Sequence, residues 1–364
     1  MSDIYNIDSH KLIYHPGRVA EWFKGYESWE KAKSIYPIYM EVSPIGICNH
    51  RCVFCALDYM GYENRSLNKD IFRERLTEMA ELGVKSIMFA GEGEPTLWKP
   101  LPEILNQCTE VGIDTALTTN MVPFTERNID AFVRNCSWIK TSINAGTAGT
   151  YSKIHQTKAK DFDRVMYNFK MCVEIRKEKG YSCTIGAQMV LLPENAHEAI
   201  VLTEKLKAAG IDYLVIKPYS QHLFSITRKY EATDYRSYLE LEKQLKSFNG
   251  EDFNVIFRIR TMTKLFEAER SYQCCYATPF FWGYIMSDGC VYGCSAFLGD
   301  DKFNYGNLHE AGFKEIWEGE KRRVNYEYIK KELSVDECRQ NCRMDEINRY
   351  LWQLRNPSAH ANFI

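Results

Sequence analysis

The stretch IYMEVSPIGICNHRCVFC, residues 38–55, joins an apolar segment to three closely spaced cysteines. Its first six residues predict a buried strand, and Cys48, Cys52 and Cys55 follow in the next loop. Three thiolates with this spacing can bind three irons of a cubane cluster and leave the fourth iron open to another ligand. A zinc ion would need a fourth ligand, for which His50 is available, but the spacing is not that of paired structural zinc motifs. The loop therefore favours an iron–sulfur cluster over zinc.

Strand and helix patterns alternate from this segment to residue 217. Strands are predicted at 38–43, 84–90, 113–119, 138–144, 183–192 and 212–217. Helices are predicted between them at 68–82, 100–111, 126–135, 161–178 and 196–209. Each strand but the last is followed by a helix, which implies βαβ units and a parallel sheet. Because the units stop short of a closed eightfold barrel, the sequence predicts a partial (β/α)6 barrel of TIM type, with its functional groups at the C-terminal ends of the strands.

The composition excludes several classes of function. The chain has 364 residues, 45% of them hydrophobic and 26% charged, enough to bury the core of one large domain or two ordinary ones. Its net charge of -2 provides no electrostatic footprint for nucleic acid or an anionic membrane, so neither is an expected partner. The N-terminal residues do not resemble a signal peptide and no apolar run could span a bilayer, so the sequence predicts a cytoplasmic protein. In a reducing compartment, 13 cysteines suggest metal ligands rather than disulfides.

The remaining cysteines are either isolated or grouped near the C-terminus. Four isolated ones are expected to pack as small apolar side chains: Cys108, Cys136, Cys172 and Cys183. The second group, in a loop-rich region, consists of Cys274, Cys275, Cys290, Cys294, Cys338 and Cys342. The predicted organisation is a helical extension at 1–35, the barrel at 36–230, a bridging helix and strand at 231–268, an auxiliary metal domain at 269–350 and a tail at 351–364.

The first cysteine loop resembles that of the radical S-adenosylmethionine (radical SAM) superfamily, whose signature CxxxCxφC follows the first strand of a partial barrel. The resemblance covers residues 36–220. It implies that Cys48, Cys52 and Cys55 ligate a [4Fe-4S] cluster, with Phe54 beside the third thiolate. The amino and carboxylate groups of SAM would bind the open iron. SAM would then be cleaved to a 5′-deoxyadenosyl radical that abstracts hydrogen from a substrate.

A second family feature, GGEP, corresponds here to Gly91-Glu92-Gly93-Glu94-Pro95 after the second strand. Glycines after a parallel strand allow a ligand to approach the backbone, and a neighbouring Glu can accept hydrogen bonds from the SAM amine. The inserted Glu92 leaves both carboxylates as candidates, although Glu94, followed by Pro95, matches the family better. By the same resemblance, the SAM carboxylate and ribose would meet the ends of the third and fourth strands at Thr119, Asn120, Ser142 and Asn144. A role as strand-end turn residues is equally open for these four.

The C-terminal region resembles the SPASM domain, or its shortened twitch form. Its landmarks here are Cys275, Asp288-Gly289 with Cys294, Gly306-Asn307, Glu315-Ile316-Trp317, and Cys338 with Cys342. The resemblance implies one auxiliary [4Fe-4S] cluster held by Cys275, Cys294, Cys338 and Cys342, with structural zinc as the alternative. Cys274 could replace Cys275, and Cys290 could be a neighbour of the cluster or a buried thiol. If either thiol faced the substrate, it could return a hydrogen atom, which would make the protein an epimerase.

Polar residues follow the sixth strand, where the barrel opens. Lys217 or His222 could accept the proton of an oxidised carbinol, and Lys217 and Gln221 could bind hydroxyls or phosphate. Weaker candidates for the same pocket are Gln188, Arg258 and Arg260. Basic groups here fit a small molecule that bears a phosphate, such as a nucleotide-bearing one, or a carboxylate.

The sequence therefore predicts a radical SAM oxidoreductase of carbohydrate biosynthesis. It would dehydrogenate a sugar, a nucleotide-linked sugar or an aminocyclitol, with the auxiliary cluster as electron acceptor and a flavodoxin- or ferredoxin-type protein as external donor. Epimerisation and dehydration remain open, as does a peptide-modifying maturase, although residues 1–35 look too few for a leader-binding domain. A non-enzymatic zinc or RNA-interaction module is disfavoured because the chain is near neutral and shows no aromatic-basic surface motif.

Overall fold

The computed structural model describes residues 5–267, 270–278 and 280–363. Its strands form one ten-stranded sheet in the order β10-β9-β8-β1-β2-β3-β4-β5-β6-β7. The strands are β1 (Tyr39–Val42), β2 (Ser86–Phe89), β3 (Asp114–Thr119), β4 (Cys136–Ser142), β5 (Thr184–Leu191), β6 (Tyr213–Pro218), β7 (Asn254–Phe257), β8 (Trp282–Ile285), β9 (Cys290–Tyr292) and β10 (Asn304–Asn307). All neighbours from β8 through β1 to β7 pair in parallel. The fold is thus the expected α/β partial barrel with a further C-terminal region.

Helices connect the parallel strands and cover their outer face. They are α1 (Pro16–Gly25), α2 (Trp29–Ala32), α3 (Lys69–Glu81), α4 (Leu101–Glu110), α5 (Glu126–Asn135), α6 (Ala148–His155), α7 (Lys160–Lys179), α8 (Ala199–Ala208), α9 (Leu239–Lys246), α10 (Ile259–Glu267), α11 (Phe313–Glu318), α12 (Glu320–Lys331) and α13 (Asp345–Arg355). Within the described ranges, none of these helices is both long and apolar enough to cross a membrane.

Side-chain alternation gives the sheet an apolar outer face and a mixed inner face. On β1, Met40 and Val42 belong to the main core with the helices, whereas Tyr39 and Glu41 face the barrel interior. On β4, Ile139 points outwards to the helices and Lys140 lies on the opposite face. The isolated cysteines 108, 136, 172 and 183 lie in the outer core, as expected.

The region after residue 280 is built onto the barrel sheet. Strand β8 pairs in parallel with β1, with Tyr39 opposite Trp282, and β9 and β10 continue the sheet as antiparallel strands. The strand that precedes the first cysteine loop and the strands of the C-terminal region therefore belong to one continuous sheet. The domain limits predicted from the sequence stay a prediction.

Two local expectations differ from the structure. Helix α6 lies in a segment for which the sequence indicated no helix. In the predicted bridging helix and strand at 231–268, the strand ends at Phe257 and a further helix, α10, begins at Ile259, so Arg260 is on a helix and exposed. Its backbone N–H donates to Asp8, and its side chain is not part of the interior face.

Candidate functional site

The first cysteine loop lies between β1 and α3 and is held against α6. The N–H groups of Arg51 and Val53 donate to the carbonyls of His155 (3.1 Å) and Ile154 (2.9 Å). Burial raises the pKa of Cys52 well above its ordinary value, and the neighbouring thiols Cys55 and Cys48 raise it further. Burial likewise raises the pKa of Cys48 to about 12. Three thiols this close to one another fit a metal cluster that displaces their protons.

Two histidines adjoin the same loop, only one of which the sequence singled out. Cys52 Sγ lies 3.3 Å from His155 Nδ1, while His155 Nε2 donates to the Ile143 carbonyl at 2.9 Å. His50 is buried with its ring 5.1 Å from that of His155, and burial lowers its pKa to about 4. The ring of Phe54 meets His155 edge-on at 5.8 Å. His50 and His155 could hold a divalent metal only by taking Cys52 out of the cysteine triad.

The glycines of the GEGEP loop allow it to approach the cysteine loop. The Glu94 N–H donates to the Ile47 carbonyl at 2.9 Å, and a Cβ on Gly93 would clash with the carbonyl oxygens of Ile45 and Ile47. Gly91 has φ +119°, and a Cβ there would clash with Ser43. The close approach that needs glycine is thus between two loops of the chain.

We expect Gly93→Ala to lower iron incorporation at the first cysteine loop by at least half. The added Cβ meets backbone rather than a flexible side chain, so the cysteine loop must shift. Iron and sulfide analysis after anaerobic reconstitution measures the effect. Gly149→Ala is the matched control, because a Cβ at Gly149 has no atom within 4 Å. Full iron content in Gly93→Ala would contradict the proposed packing role.

Glu94 organises the ends of β2 and β3. Its carboxylate accepts hydrogen bonds from the Thr119 hydroxyl (2.6 Å), the Thr96 hydroxyl (2.6 Å) and the Asn120 N–H (2.7 Å). Burial raises the pKa of Glu94, and these hydrogen bonds oppose the rise. Asn120 also donates to Asn49 of the cysteine loop at 2.7 Å. Glu94, Thr119 and Asn120 therefore form one polar group beside the three thiols, and buried Pro95 begins the turn that follows.

The inserted Glu92 points to the C-terminal region. Its carboxylate accepts hydrogen bonds from Arg65 (2.9 Å) and from the Ser287 N–H (3.1 Å). Arg65 also donates to the Ser287 hydroxyl at 3.0 Å. Of the two carboxylates that the sequence left open, only Glu94 lies in the polar group with Thr119 and Asn120.

The two polar residues at the end of β4 differ in their surroundings. Asn144 is fully buried, has φ +52°, and accepts a 2.6 Å hydrogen bond from the Val190 N–H. It thus has the turn role that the sequence allowed as an alternative to SAM binding. Ser142 is half-buried and pairs in register with Gln188 of β5, on the interior face of the barrel.

Four cysteines of the second group surround one small cavity. Cys275, Cys294, Cys338 and Cys342 all line it. Burial raises the pKa of Cys294 well above its ordinary value, and the other three thiols raise it further. The Asn348 side chain approaches Cys275 Sγ at 3.5 Å. Four converging thiols fit a fully ligated auxiliary cluster.

The two leftover cysteines lie outside this set. Cys274 Sγ is 3.5 Å from the hydroxyl of Tyr26, at the end of α1, and Cys274 does not line the four-cysteine cavity. Its role as a ligand or hydrogen donor stays a prediction. Cys290 begins β9, where Asn307 Nδ2 approaches its sulfur at 3.5 Å, and it does not line the four-cysteine cavity.

The two predicted bases differ in their hydrogen-bond partners. His222 Nε2 donates to the Ser295 carbonyl at 3.0 Å, and Nδ1 accepts from the Phe224 N–H at 3.2 Å, so both ring nitrogens have backbone partners. The role of His222 as a base stays a prediction. Gln221 is likewise turned to backbone, donating to the Thr227 carbonyl at 3.0 Å. Lys217 is half-buried on β6 and has no hydrogen bond or ion pair to any described residue.

Lysine and arginine side chains that the sequence did not single out accompany Lys217. Lys140 of β4 lies on the interior face, with Nζ 5.3 Å from the centre of the Trp138 ring. Arg343, next to Cys342, donates to Tyr39 at 3.0 Å and pairs with Glu41, both on the interior face of β1. Alternation along WIKTS (138–142) carried a signal for Lys140, since a polar residue recurs on the face opposite Ile139.

Known proteins match the two parts of this arrangement. The Radical SAM superfamily model matches residues 42–214, and the SPASM model, described as an iron-sulfur cluster-binding domain, matches residues 274–343. An S-adenosylmethionine-dependent nucleotide dehydratase of Flammeovirga pacifica is 29% identical over 148 residues, 38% of this chain and 49% of that protein. A probable GTP 3',8-cyclase of Metallosphaera sedula is 29% identical over 179 residues, 48% of this chain and 53% of that protein. The chain thus spans about half the length of these curated relatives.

The fold also occurs in solved structures. SuiB of Streptococcus suis, bound to its precursor peptide SuiA, aligns with a TM-score of 0.66 at 20% identity, over 95% of this chain and 78% of that chain. The matched families bring SAM, a SAM-binding [4Fe-4S] cluster and an auxiliary [4Fe-4S] cluster to the two cysteine sets. The chain belongs to the radical SAM superfamily and carries a C-terminal SPASM iron–sulfur domain.

Proposed function

We propose that this radical SAM enzyme is an oxidoreductase that dehydrogenates a hydroxyl-bearing carbon of a small polar substrate. The substrate would be a sugar, a nucleotide-linked sugar or an aminocyclitol. When bound, SAM and its cluster supply the radical that takes the carbon-bound hydrogen atom, and the auxiliary cluster supplies an acceptor for the remaining electron. Lys217 takes the hydroxyl proton, so the substrate loses two hydrogens and gains a carbonyl group.

The position of Lys217 carries this proposal. The residue lies near the C-terminal end of β6 and faces the barrel interior, where functional groups of such sheets gather. Burial lowers the pKa of Lys217 well below its ordinary value, and Lys140 and Arg258 lower it further. A neutral amine without a protein partner can accept a proton.

The matched relatives support a nucleotide-bearing small molecule. Two of them have a nucleotide or GTP in their names, although the chain covers only about half of each. The likeness to SuiB supports the fold and leaves a peptide substrate as an outcome of the test. The proposal includes a cytoplasmic location and a flavodoxin- or ferredoxin-type electron donor. The Glu94 group would hold the SAM amine, with Thr119, Asn120 and Ser142 near its carboxylate and ribose.

Anaerobic turnover distinguishes the reactions. The reconstituted protein is incubated with SAM, dithionite and candidate nucleotide sugars deuterated at the carbinol carbon. Dehydrogenation gives a product lighter by two hydrogens and deuterium in 5′-deoxyadenosine. Solvent hydrogen at an inverted carbon would indicate an epimerase, and loss of water a dehydratase. Modification of a peptide but of no sugar would overturn the proposal in favour of a maturase.

We expect Lys217→Met to lower kcat by at least about 100-fold, the usual contribution of a general base. In the wild type, kcat should rise with pH as Lys217 loses its proton, and this rise should disappear in the variant. Stopped assays of the oxidised product between pH 6 and pH 9 measure both effects. Lys177→Met, on the exposed face of α7, serves as the control. An unchanged pH profile in Lys217→Met would exclude Lys217 as the base.

A further inference from the structure

We propose that Lys140, Arg343 and Arg258 form a phosphate-binding subsite inside the barrel, next to Lys217. This inference rests on the proposed function, because it assigns a phosphate group to the substrate of the same site. It adds residues from three separate parts of the chain: β4, the end of β7 and the segment after Cys342.

A shared face of the sheet and a mutual charge effect place Lys140 and Arg343 in the same region. Lys140 Nζ lies 5.3 Å from the centre of the Trp138 ring, and Trp138 and Tyr39 each pack against the same small cluster on the interior face. Arg343 donates to the hydroxyl of Tyr39 at 3.0 Å, and its charge helps to lower the pKa of Lys140. The two cations therefore lie on one interior face, near enough for their charges to interact.

Sheet register places Arg258 beside Lys217. The Arg258 N–H donates to the Ile216 carbonyl at 2.9 Å, continuing the pairing of β6 with β7. Its Nε donates to Asp8 at 3.1 Å. Extending the register by one residue beyond β7 sets Arg258 opposite Lys217, and the charge of Arg258 helps to lower the pKa of Lys217.

The charges in this space do not balance within the part of the chain that the structure describes. Glu41 compensates Arg343, and Asp8 compensates Arg258. Lys140 and Lys217 have no carboxylate within ion-pair distance among the described residues. Enclosed cations without a counter-charge are costly, and burial together with Arg343 and Arg258 lowers the pKa of Lys140 to about 8.

A phosphate group supplies the negative charge that this space lacks. Its charge of up to two at neutral pH can be met by Lys140 together with the guanidinium groups of Arg343 and Arg258, while Lys217 stays a neutral base. Its oxygens suit the guanidinium groups, whose planar donors bind phosphate at two points. Because Arg343 directly follows Cys342, a phosphate held here places the substrate between the barrel interior and the auxiliary cysteines.

Inorganic pyrophosphate is the probe that tests the subsite. Isothermal titration calorimetry is carried out on the anaerobically reconstituted holoprotein with SAM, and acetate is titrated in parallel. We expect one pyrophosphate per chain, binding at least about tenfold more tightly than acetate. Lys140→Met should weaken pyrophosphate binding at least about tenfold, whereas Lys140→Arg, which keeps the charge, should retain most of it. Lys177→Met on α7 is the control for a lysine elsewhere.

Three results would overturn the subsite: no pyrophosphate binding by the wild type, equal binding by Lys140→Met, or tighter binding of acetate. If Lys140→Met does not take up iron, two measurements still test the subsite. They are the pyrophosphate affinity of Lys140→Arg relative to the wild type, and the affinity of the wild type for acetate. Oxidation of the deuterated nucleotide sugars is measured on the same wild-type sample. Oxidised product without pyrophosphate binding refutes the subsite alone, and pyrophosphate binding without oxidised product refutes the proposed function alone.

Discussion

The Cys52→Ala variant is expected to hold about half of the wild-type iron and to release no 5′-deoxyadenosine. Cys52 is the central thiol of the first loop, and its neighbours Cys48 and Cys55 alone cannot hold a cluster that needs three protein ligands. The four cysteines around the second cavity are untouched, so their cluster should remain. Activity should fall at least about 1000-fold, towards the uncatalysed rate. Iron and sulfide analysis and chromatography of the nucleoside measure the two effects.

Two further variants make this test specific. Cys294→Ala should also lose about half of the iron, but from the auxiliary site, and should still release 5′-deoxyadenosine from SAM. Cys172→Ala, in the outer core, should retain full iron content. Full iron in Cys52→Ala, or equal nucleoside release by Cys52→Ala and Cys294→Ala, would contradict the division of the cysteines into two clusters.

Local periodicity was sufficient to predict the barrel, but long-range pairing was not. Strands β1 to β6 and the helices between them follow alternating and helical apolar patterns, which depend on neighbours in sequence. Helix α6 was missed because its segment, AGTYSKIH, begins with small residues and has little apolar periodicity. The pairing of β8 with β1 joins Trp282 to Tyr39, and no local pattern specifies a partner so distant in sequence.

Long-range contacts also limit what the sequence predicts about the side chains of the site. Cysteine spacing singled out four auxiliary thiols, and the structure brings them around one cavity. The sequence could not show that His222 bonds to the Ser295 carbonyl, because that partner comes from the distant C-terminal region. Arg343 was missed for a similar reason, since only the fold brings it to Glu41. A polar residue at a strand end thus does not predict a catalytic role until its hydrogen-bond partners are known.

Arg322→Met is expected to lower the free energy of unfolding by about 3 kcal/mol or more, the largest stability effect that we foresee. The Arg322 side chain of α12 is fully buried and donates to the carbonyls of Trp317 (2.6 Å) and Lys33 (3.1 Å). It also reaches the carbonyls of Ala32 and Ile35 at 3.3 Å and lies 4.4 Å from the centre of the Trp317 ring. Methionine removes the guanidinium donor from the carbonyls of Trp317 and Lys33, whereas those of Ala32 and Ile35 keep the Ile35 N–H and the Trp317 indole N–H. The C-terminal region thus loses part of its hydrogen bonding to the segment that precedes β1.

The adjacent Arg323 provides the matched control. It is exposed and pairs with Glu320 within the same helix, so Arg323→Met should change stability by less than about 0.5 kcal/mol. Thermal and urea unfolding of both variants are compared with the wild type under anaerobic conditions, and Arg322→Met should melt at least about 5 °C lower. Equal stability of the two variants would show that the buried guanidinium does not hold the C-terminal region to the barrel. A selective loss of auxiliary iron from Arg322→Met would further show that this contact supports the four-cysteine cavity, because α12 lies along the chain between the loop after β9 that carries Cys294 and the segment that carries Cys338.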